Sequence, residues 1–331
     1  MEMEKQQKKY VSIYQNFKKG DGMMEKNSQV ILWGAGACGR YIMNYCQHHN
    51  IEVVAFGDRD ISKIGQKLLE VPVLSIKELK KLDSNTPIII SIQKDNVLKI
   101  REELIKEGIE NDIFALNDLF SLDGIEGRRN ICADFHFDYM DSYYKSSENT
   151  VDKFWKDDSL FRKMFNQLDT SYIVELACGR GRHVPQYVEM AKQIVLVDIL
   201  EKNISYCKER FKDYGHLQYI VNTGDNFKPL KDNTYTAIFS YDSMVHFESI
   251  DIYNYLMDTK RILINGGMAL YHHSNNHSDY RTSFITGENG RNYMSMDLFA
   301  HFADRSGLEV VEQQVIKWGN VEDGITLLRK K

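Results

Sequence analysis

An α/β chain of two doubly wound sheets is predicted by three observations. Two separate stretches run apolar strand, glycine turn, helix and second apolar strand ending on an acid. Strands and helices alternate after each of them, the pattern of parallel sheets. The length of 331 residues is long for one domain and comfortable for two, each able to bury a core. The expected division is a lead-in segment over 1–27, a first nucleotide-binding-type domain over 28–120, a linker and lid over 121–150, and a second domain over 151–331.

The first thirty residues are polar and lysine-rich and read as a lead-in helix. QVILWGAGACGRYIMNYCQHH then supplies a strand, a turn and an amphipathic helix, with Gly34, Gly36 and Gly39 matching GxGxxG. The next strand, IEVVAFGDRD, reaches Asp58 at about the offset of a ribose-binding acid. PVLSIKELKKL continues the alternation, and TPIIISIQ reads as a buried strand. A helix follows from about Asn96 to Glu107, and IFAL near Ile113 closes the sheet. Gly34, Gly36, Gly39 and Asp58 form a candidate nucleotide site. The sheet is short for a dehydrogenase and no Tyr-x-x-x-Lys pair lies near it. A fold kept for docking or dimerisation therefore stands beside nucleotide binding. The unit resembles the small Rossmann-like domain found ahead of nucleotide-sugar acyltransferases and beside some methyltransferases of surface-glycan pathways.

The second stretch is IVELACGRGRH, Ile173 to His183, followed by IVLVD with Asp198 last. Ile173 to Leu176 reads as a buried strand, and Gly179 and Gly181 let the backbone turn tightly against a ligand. Glu175 stands before the turn, where dinucleotide folds carry no acid. Together these residues resemble the S-adenosylmethionine motif of class I methyltransferases, an acid, x, Gly, x, Gly, x, Gly, with Ala177 in place of the first glycine. The resemblance spans about Phe154 to Arg329. It implies five parallel strands with a terminal antiparallel hairpin (LEVVEQQVIKWG and DGITLLRK), and S-adenosyl-L-methionine as cofactor. It also implies residue roles. Glu175, Ala177, Gly179 and Gly181 form the cofactor turn, and Asp198 holds the ribose with Ile199 beside it. Gly224, Asp225 and Asn226 receive the adenine, with Phe227 flanking the ring. Ser240 and Tyr241 lie at the end of the fourth strand, whose apolar run is Tyr235 to Phe239. Tyr144, with Tyr139 and Tyr143, belongs to a lid that folds over the methionine part. Trp155, Phe161, Met164 and Phe165 recur at helical spacing and are expected in the core.

Methyl transfer is an in-line displacement that demands alignment and exclusion of water. A hydroxyl acceptor must also lose a proton, a task suited to imidazole. His246 is the leading base, Asp242 one turn earlier orients it or binds a substrate hydroxyl, and His273 is the second candidate. No HxH or HExxH spacing is present among His246, His272, His273 and His277, so no metal is expected. Arg281 and Arg291 are candidates to grip a phosphate or carboxylate, with Asn275 at the rim.

A net charge of −5 leaves no basic footprint for nucleic acid. No apolar run spans a bilayer, and the N-terminus reads as no secretory signal. Five scattered cysteines fit reduced thiols in the cytoplasm. The expected activity is S-adenosylmethionine-dependent O-methyl transfer to a polar small molecule, a sugar or nucleotide-sugar, with a homo-oligomer left open. Two alternatives stand: a bifunctional enzyme with an NAD-dependent N-terminal oxidoreductase, and a non-catalytic nucleotide sensor.

Overall fold

The computed structural model describes residues 28–48, 50–92, 96–116, 124–134, 141–280, 282–284 and 287–331. The lead-in segment, Tyr139 and Arg281 lie outside the described residues. The chain forms two compact units that divide between Arg128 and Arg129.

The first unit runs β1 (Ser28–Trp33), α1 (Ala37–His48), β2 (Ile51–Gly57), β3 (Lys67–Leu68), β4 (Val71–Leu74), α2 (Ile76–Leu79), β5 (Ile88–Ile90), α3 (Asn96–Lys106) and β6 (Ile113–Ala115). Its sheet order is β3-β4-β2-β1-β5-β6, parallel except for the two-residue β3. Ile88, Ile89 and Ile90 are all buried, because helices cover both faces of a parallel sheet and leave no polar side to alternate with. Ile31, Trp33, Ile88 and Ile90 pack with Ile100 and Leu104 of α3. Strand order reverses beside β1, so the GxGxxG turn lies where open α/β sheets place ligands.

The divide falls within α4 (Gly124–Asp134). The second unit continues through α5 (Asp141–Glu148), α6 (Val151–Trp155) and α7 (Leu160–Phe165) into β7 (Tyr172–Leu176), β8 (Gln193–Asp198), α8 (Glu201–Arg210), β9 (Leu217–Val221), β10 (Tyr235–Met244), α9 (Ser249–Ile262), β11 (Leu263–Ser274), α10 (Met296–Arg305), β12 (Leu308–Trp318) and β13 (Val321–Lys330). The order is β12-β13-β11-β10-β7-β8-β9. The five strands β7 to β11 are parallel, and β13 runs antiparallel to both β11 and β12. The expected architecture, five parallel strands and a reversed hairpin, is present.

Successive strand residues point to opposite faces, and each face has its own core. Ile173, Ile194, Leu196, Phe239 and Leu327 pack with Trp155, Phe161, Met164, Phe165 and Tyr187 on one side. Val174, Val195, Val197, Ile238 and Leu328 pack with Tyr255, Leu256 and Phe299 on the other. The three aromatics and the methionine read from helical spacing are thus core residues.

β10 is longer than its apolar run. It continues to Met244, with an irregular register against β11 between Ser240 and Met244 and Asp242 in a left-handed conformation (φ 59°). Left-handed backbone costs a non-glycine residue about 1–2 kcal/mol, least for Asp and Asn, and such bends re-aim side chains beside sites. Among the described residues no helix is long and apolar enough to cross a membrane.

Candidate functional site

Strand order in the second unit reverses between β7 and β10, and the expected site residues lie at or just beyond the carboxyl ends of the parallel strands β7 to β11. At the end of β8, Asp198 Oδ2 accepts a hydrogen bond from the Gly179 amide at 2.9 Å. Its Oδ1 accepts from the Leu200 amide at 2.9 Å and from Asn203 Nδ2 at 3.1 Å. Burial raises the Asp198 pKa, opposed by the Leu200 and Gly179 amides and by Asn203. Acid and glycine turn are therefore one hydrogen-bonded unit. Gly181 adopts φ 72°, and a Cβ there would overlap the Phe211 ring, so only glycine suits the position. Ala177 takes the same left-handed region at φ 54°, which explains how the smallest chiral residue replaces the motif's first glycine. Tyr144 leans on the turn. A Cβ at Gly179 would stand 3.1 Å from its Cε1, its hydroxyl accepts from Asn203 Nδ2 at 3.3 Å, and Arg180 lies 4.6 Å above its ring. Among the described residues, Asn203 Oδ1 and Ser240 Oγ are buried without a protein hydrogen-bond partner. Asn203 Oδ1 is thus a buried, unfilled acceptor beside Asp198.

Glu175 lies beneath the turn, 3 % exposed, and accepts from the Tyr187 hydroxyl at 2.6 Å. Burial pushes its pKa up to about 8, against the pull of Tyr187 and Arg182. The folded state therefore holds a proton that the unfolded chain releases above its ordinary carboxylate value, and stability falls as pH rises from about 4.5 to about 8. Glu175→Gln keeps an acceptor for Tyr187 and removes the titration. It should raise Tm at alkaline pH, with the advantage shrinking steadily toward about pH 4.5. Thermal melts across pH test this; a gap that ignores pH would show that Glu175 does not titrate in the native state.

In the turn after β9, Asp225 Oδ1 accepts from Thr223 Oγ1 and Asn226 Nδ2, both at 2.6 Å. Asn222 holds the turn by donating to Asn226 O and Tyr255 Oη, both at 2.8 Å, while its Oδ1 accepts from the Gly224 amide. Phe227 differs from expectation. It is fully buried against Tyr255, ring centroids 5.1 Å apart, so it belongs to the core and does not flank a ligand ring.

A second polar cluster is built from β10, β11 and β13. Asp242 Oδ2 accepts from Arg182 at 2.9 Å, and the Asp242 amide donates to His272 Nδ1 at 3.0 Å. Since an amide only donates, His272 carries its proton on Nε2, which faces Asp323 Oδ2 at 3.2 Å. Arg291 grips the same carboxylate, NH2 to Oδ2 at 2.6 Å and Nε to Oδ1 at 3.1 Å. Arg291 is 3 % exposed, so its charge is spent inside the protein and does not reach out for a substrate phosphate. His273 is also withdrawn. It is fully buried, both ring nitrogens are engaged by Ser274 O and Thr326 Oγ1, and it stacks on Phe299 at 3.8 Å. Burial drives its pKa down to about 3. Asn275 Oδ1 accepts from the Met296 amide at the start of α10. His246 stands apart from these. It is half-buried, and its Nδ1 lies 2.8 Å from Gly290 O. Phe154, Tyr241 and Trp318 form an aromatic group beside Asp242, with centroid separations of 5.0 Å (Phe154–Tyr241) and 5.3 Å (Phe154–Trp318). Sequence reasoning passed over Arg182, Asn203, Phe154 and Trp318. Only Arg182 had a local sign, its place directly after the last glycine of the motif. Among the described residues no three His, Cys, Asp or Glu side chains are grouped to hold a metal.

In the first unit, Asp58 Oδ2 accepts from the Ala35 amide at 2.9 Å and from Lys63 Nζ at 3.0 Å, and Oδ1 accepts from the Asp60 amide at 2.9 Å. Burial, which raises its pKa, is outweighed by these donors and the carboxyl stays below its ordinary value. A Cβ at Gly39 would overlap Gly34 O, whereas one at Gly36 would meet nothing within 4 Å. Gly39 thus serves helix packing and Gly36 presents open backbone.

Residues 174–271 match the family model described as a methyltransferase domain, and residues 26–114 match the one described as C2185-like, N-terminal. The chain is 30% identical over 89 residues to the redox-sensing transcriptional repressor Rex of Anoxybacillus flavithermus, a stretch covering 26% of this chain and 42% of that protein. It thus spans less than half the length of that curated relative. Similar solved structures include S-adenosylmethionine-dependent methyltransferases of Clostridium acetobutylicum (14% identity, 57% of this chain and 99% of that one, TM-score 0.43) and Mesorhizobium loti (13%, 51% and 97%, TM-score 0.43). A complex of the Haloferax volcanii Trm112 methyltransferase activator with a methyltransferase gives 14% identity, 60% of this chain, 96% of that one and a TM-score of 0.45. The second unit therefore carries a class I methyltransferase domain, and S-adenosylmethionine is the cofactor this domain implies.

Proposed function

We propose that the chain transfers the methyl group of S-adenosylmethionine to a hydroxyl of a polar small molecule, a sugar or activated sugar of surface-glycan biosynthesis in the cytoplasm, with His246 taking the acceptor proton. The observation that carries this reading is the contact of His246 Nδ1 with Gly290 O at 2.8 Å. A carbonyl oxygen only accepts, so Nδ1 carries the proton and Nε2 carries the lone pair, the tautomer a general base needs. Asp198 and Asn203 hold the ribose, Asp225 accepts from the adenine amino group, and Tyr144 closes over the glycine turn. Ser240 and Tyr241 line the strand end. Asp242, kept in place by Arg182, binds a neighbouring hydroxyl, and Phe154, Tyr241 and Trp318 offer apolar ring faces to the C–H face of a sugar. The cofactor, when bound, supplies a methyl carbon made electrophilic by the sulfonium; the side chains align the acceptor and exclude water. Incubating the protein with isotope-labelled cofactor and a panel of sugars, nucleotide-sugars, amines and peptides, followed by mass spectrometry, tests the proposal. Label on a sugar oxygen supports it, whereas label confined to nitrogen or carbon acceptors overturns it.

A second reading concerns the first unit. We infer a nucleotide or nucleotide-sugar site on Gly34, Gly36, Gly39 and Asp58, supported by the open backbone at Gly36 and by the tie between Asp58 and the Ala35 amide. Calorimetric titration with nucleotide-sugars tests it. An absorbance change of nicotinamide with candidate sugars would instead favour oxidoreductase chemistry there.

A further inference from the structure

Resting on the proposal that Gly224, Asp225 and Asn226 receive the adenine ring, we infer that Arg129 on α4 is a cofactor-positioning residue, which clamps this turn and aims the Asp225 carboxylate at the adenine amino group. The guanidinium is fully engaged on the turn side. Its Nε and NH2 donate to Asp251 Oδ2 and Oδ1 at 3.0 and 2.6 Å, and NH1 donates to Thr223 O at 3.0 Å. Asp251 is 1 % exposed, so this is a planar, two-pronged pair sheltered from water, the arrangement that holds an arginine in one orientation.

The arginine stem then covers Gly224. A Cβ there would overlap Arg129 Cδ and stand 3.1 Å from its Cγ and 2.5 Å from Ile199 Cδ1. Two side chains from distant parts of the chain thus meet on the one residue that has no side chain of its own. Asp225 shows the consequence. Its Oδ1 is filled by Thr223 and Asn226, and its Oδ2 lies 3.6 Å from Arg129 NH2. That leaves Oδ2 as the carboxylate oxygen placed to meet an N–H donor. Three residues on, Cys132 places its Sγ 3.9 Å from His246 O. Residues three apart share a helix face, so one face of α4 reaches from the adenine turn to the candidate base.

Titration of S-adenosylhomocysteine, and of its inosine counterpart in which a carbonyl oxygen replaces the adenine amino group, separates a positioning role from a structural one. Arg129→Gln should weaken S-adenosylhomocysteine binding by about tenfold and the inosine analogue much less, so that discrimination between the two collapses. Arg129→Lys should recover part of it, since it keeps the charge without the fork. The double variant Arg129→Ala with Asp251→Asn leaves no unpaired buried carboxylate, and it should show the same loss of discrimination in a well-folded protein. Equal losses for both ligands would make Arg129 merely structural, and tighter binding would make it a plug; either result overturns the inference. Unchanged binding in Asp198→Ala and Asp225→Asn would instead sink the placement of the site. Losses in those two with Arg129→Gln unaffected would sink only the role of Arg129.

Discussion

Alanine at Asp198 should weaken S-adenosylhomocysteine binding by about ten- to a hundredfold, the loss of a charge-assisted contact of roughly 1.5–3 kcal/mol. The carboxylate joins the Gly179 amide, the Leu200 amide and Asn203, so its removal takes away a ribose acceptor and also frees the glycine turn. Asp198→Asn separates the two effects. It keeps an acceptor oxygen for one amide while losing the charge, and it should fall between wild type and alanine. Calorimetric titration with thermal melts in parallel measures both quantities. A folded alanine variant that binds with unchanged affinity would move the cofactor away from the ends of β7 and β8.

Removing His246 carries the other large effect. His246→Ala should lower turnover about a hundredfold or more while S-adenosylhomocysteine affinity stays close to wild type. His246→Gln is a sharper control, because an amide can replace the hydrogen bond to Gly290 O and cannot accept the acceptor's proton. A metal-assisted reaction predicts otherwise: a chelator would abolish activity, and magnesium or manganese would restore it. Near-normal turnover in His246→Ala with a harmless chelator would leave transfer driven by proximity alone. His273, with both nitrogens engaged and no exposure, does not inherit the role.

Both sheets were legible because their signals are local. A strand that ends in a glycine turn, and an acid at the end of the next strand, are written within some twenty-five consecutive residues (Ile173 to Asp198). The hydrogen bond that joins them, Gly179 N to Asp198 Oδ2, follows once neighbouring strands pair. The run Tyr235 to Phe239 marked β10 but not its length. Apolar content reports burial, and the bent continuation to Met244 is held by backbone pairing and by the His272 contact to the Asp242 amide. Arg291 was misjudged for a related reason. An arginine in a polar stretch looks solvated or ligand-facing until its partner is known, and that partner, Asp323, is 32 residues away on β13.

Taken alone, the amino-acid order determined the α/β class, the two glycine turns and their acids, the terminal hairpin and the aromatic core positions, since each depends on short-range periodicity and turn chemistry. Tertiary structure alone decided which charges are spent and which histidines are withdrawn into the core. Arg182 meets Asp242 across 60 residues, His272 meets Asp323 across 51, and Arg129 meets Asp251 across 122. These encounters depend on which strands lie side by side and on where a helix crosses their ends. Ionisation and tautomer follow from the resulting neighbours, because a buried proton goes where a hydrogen-bond partner accepts it.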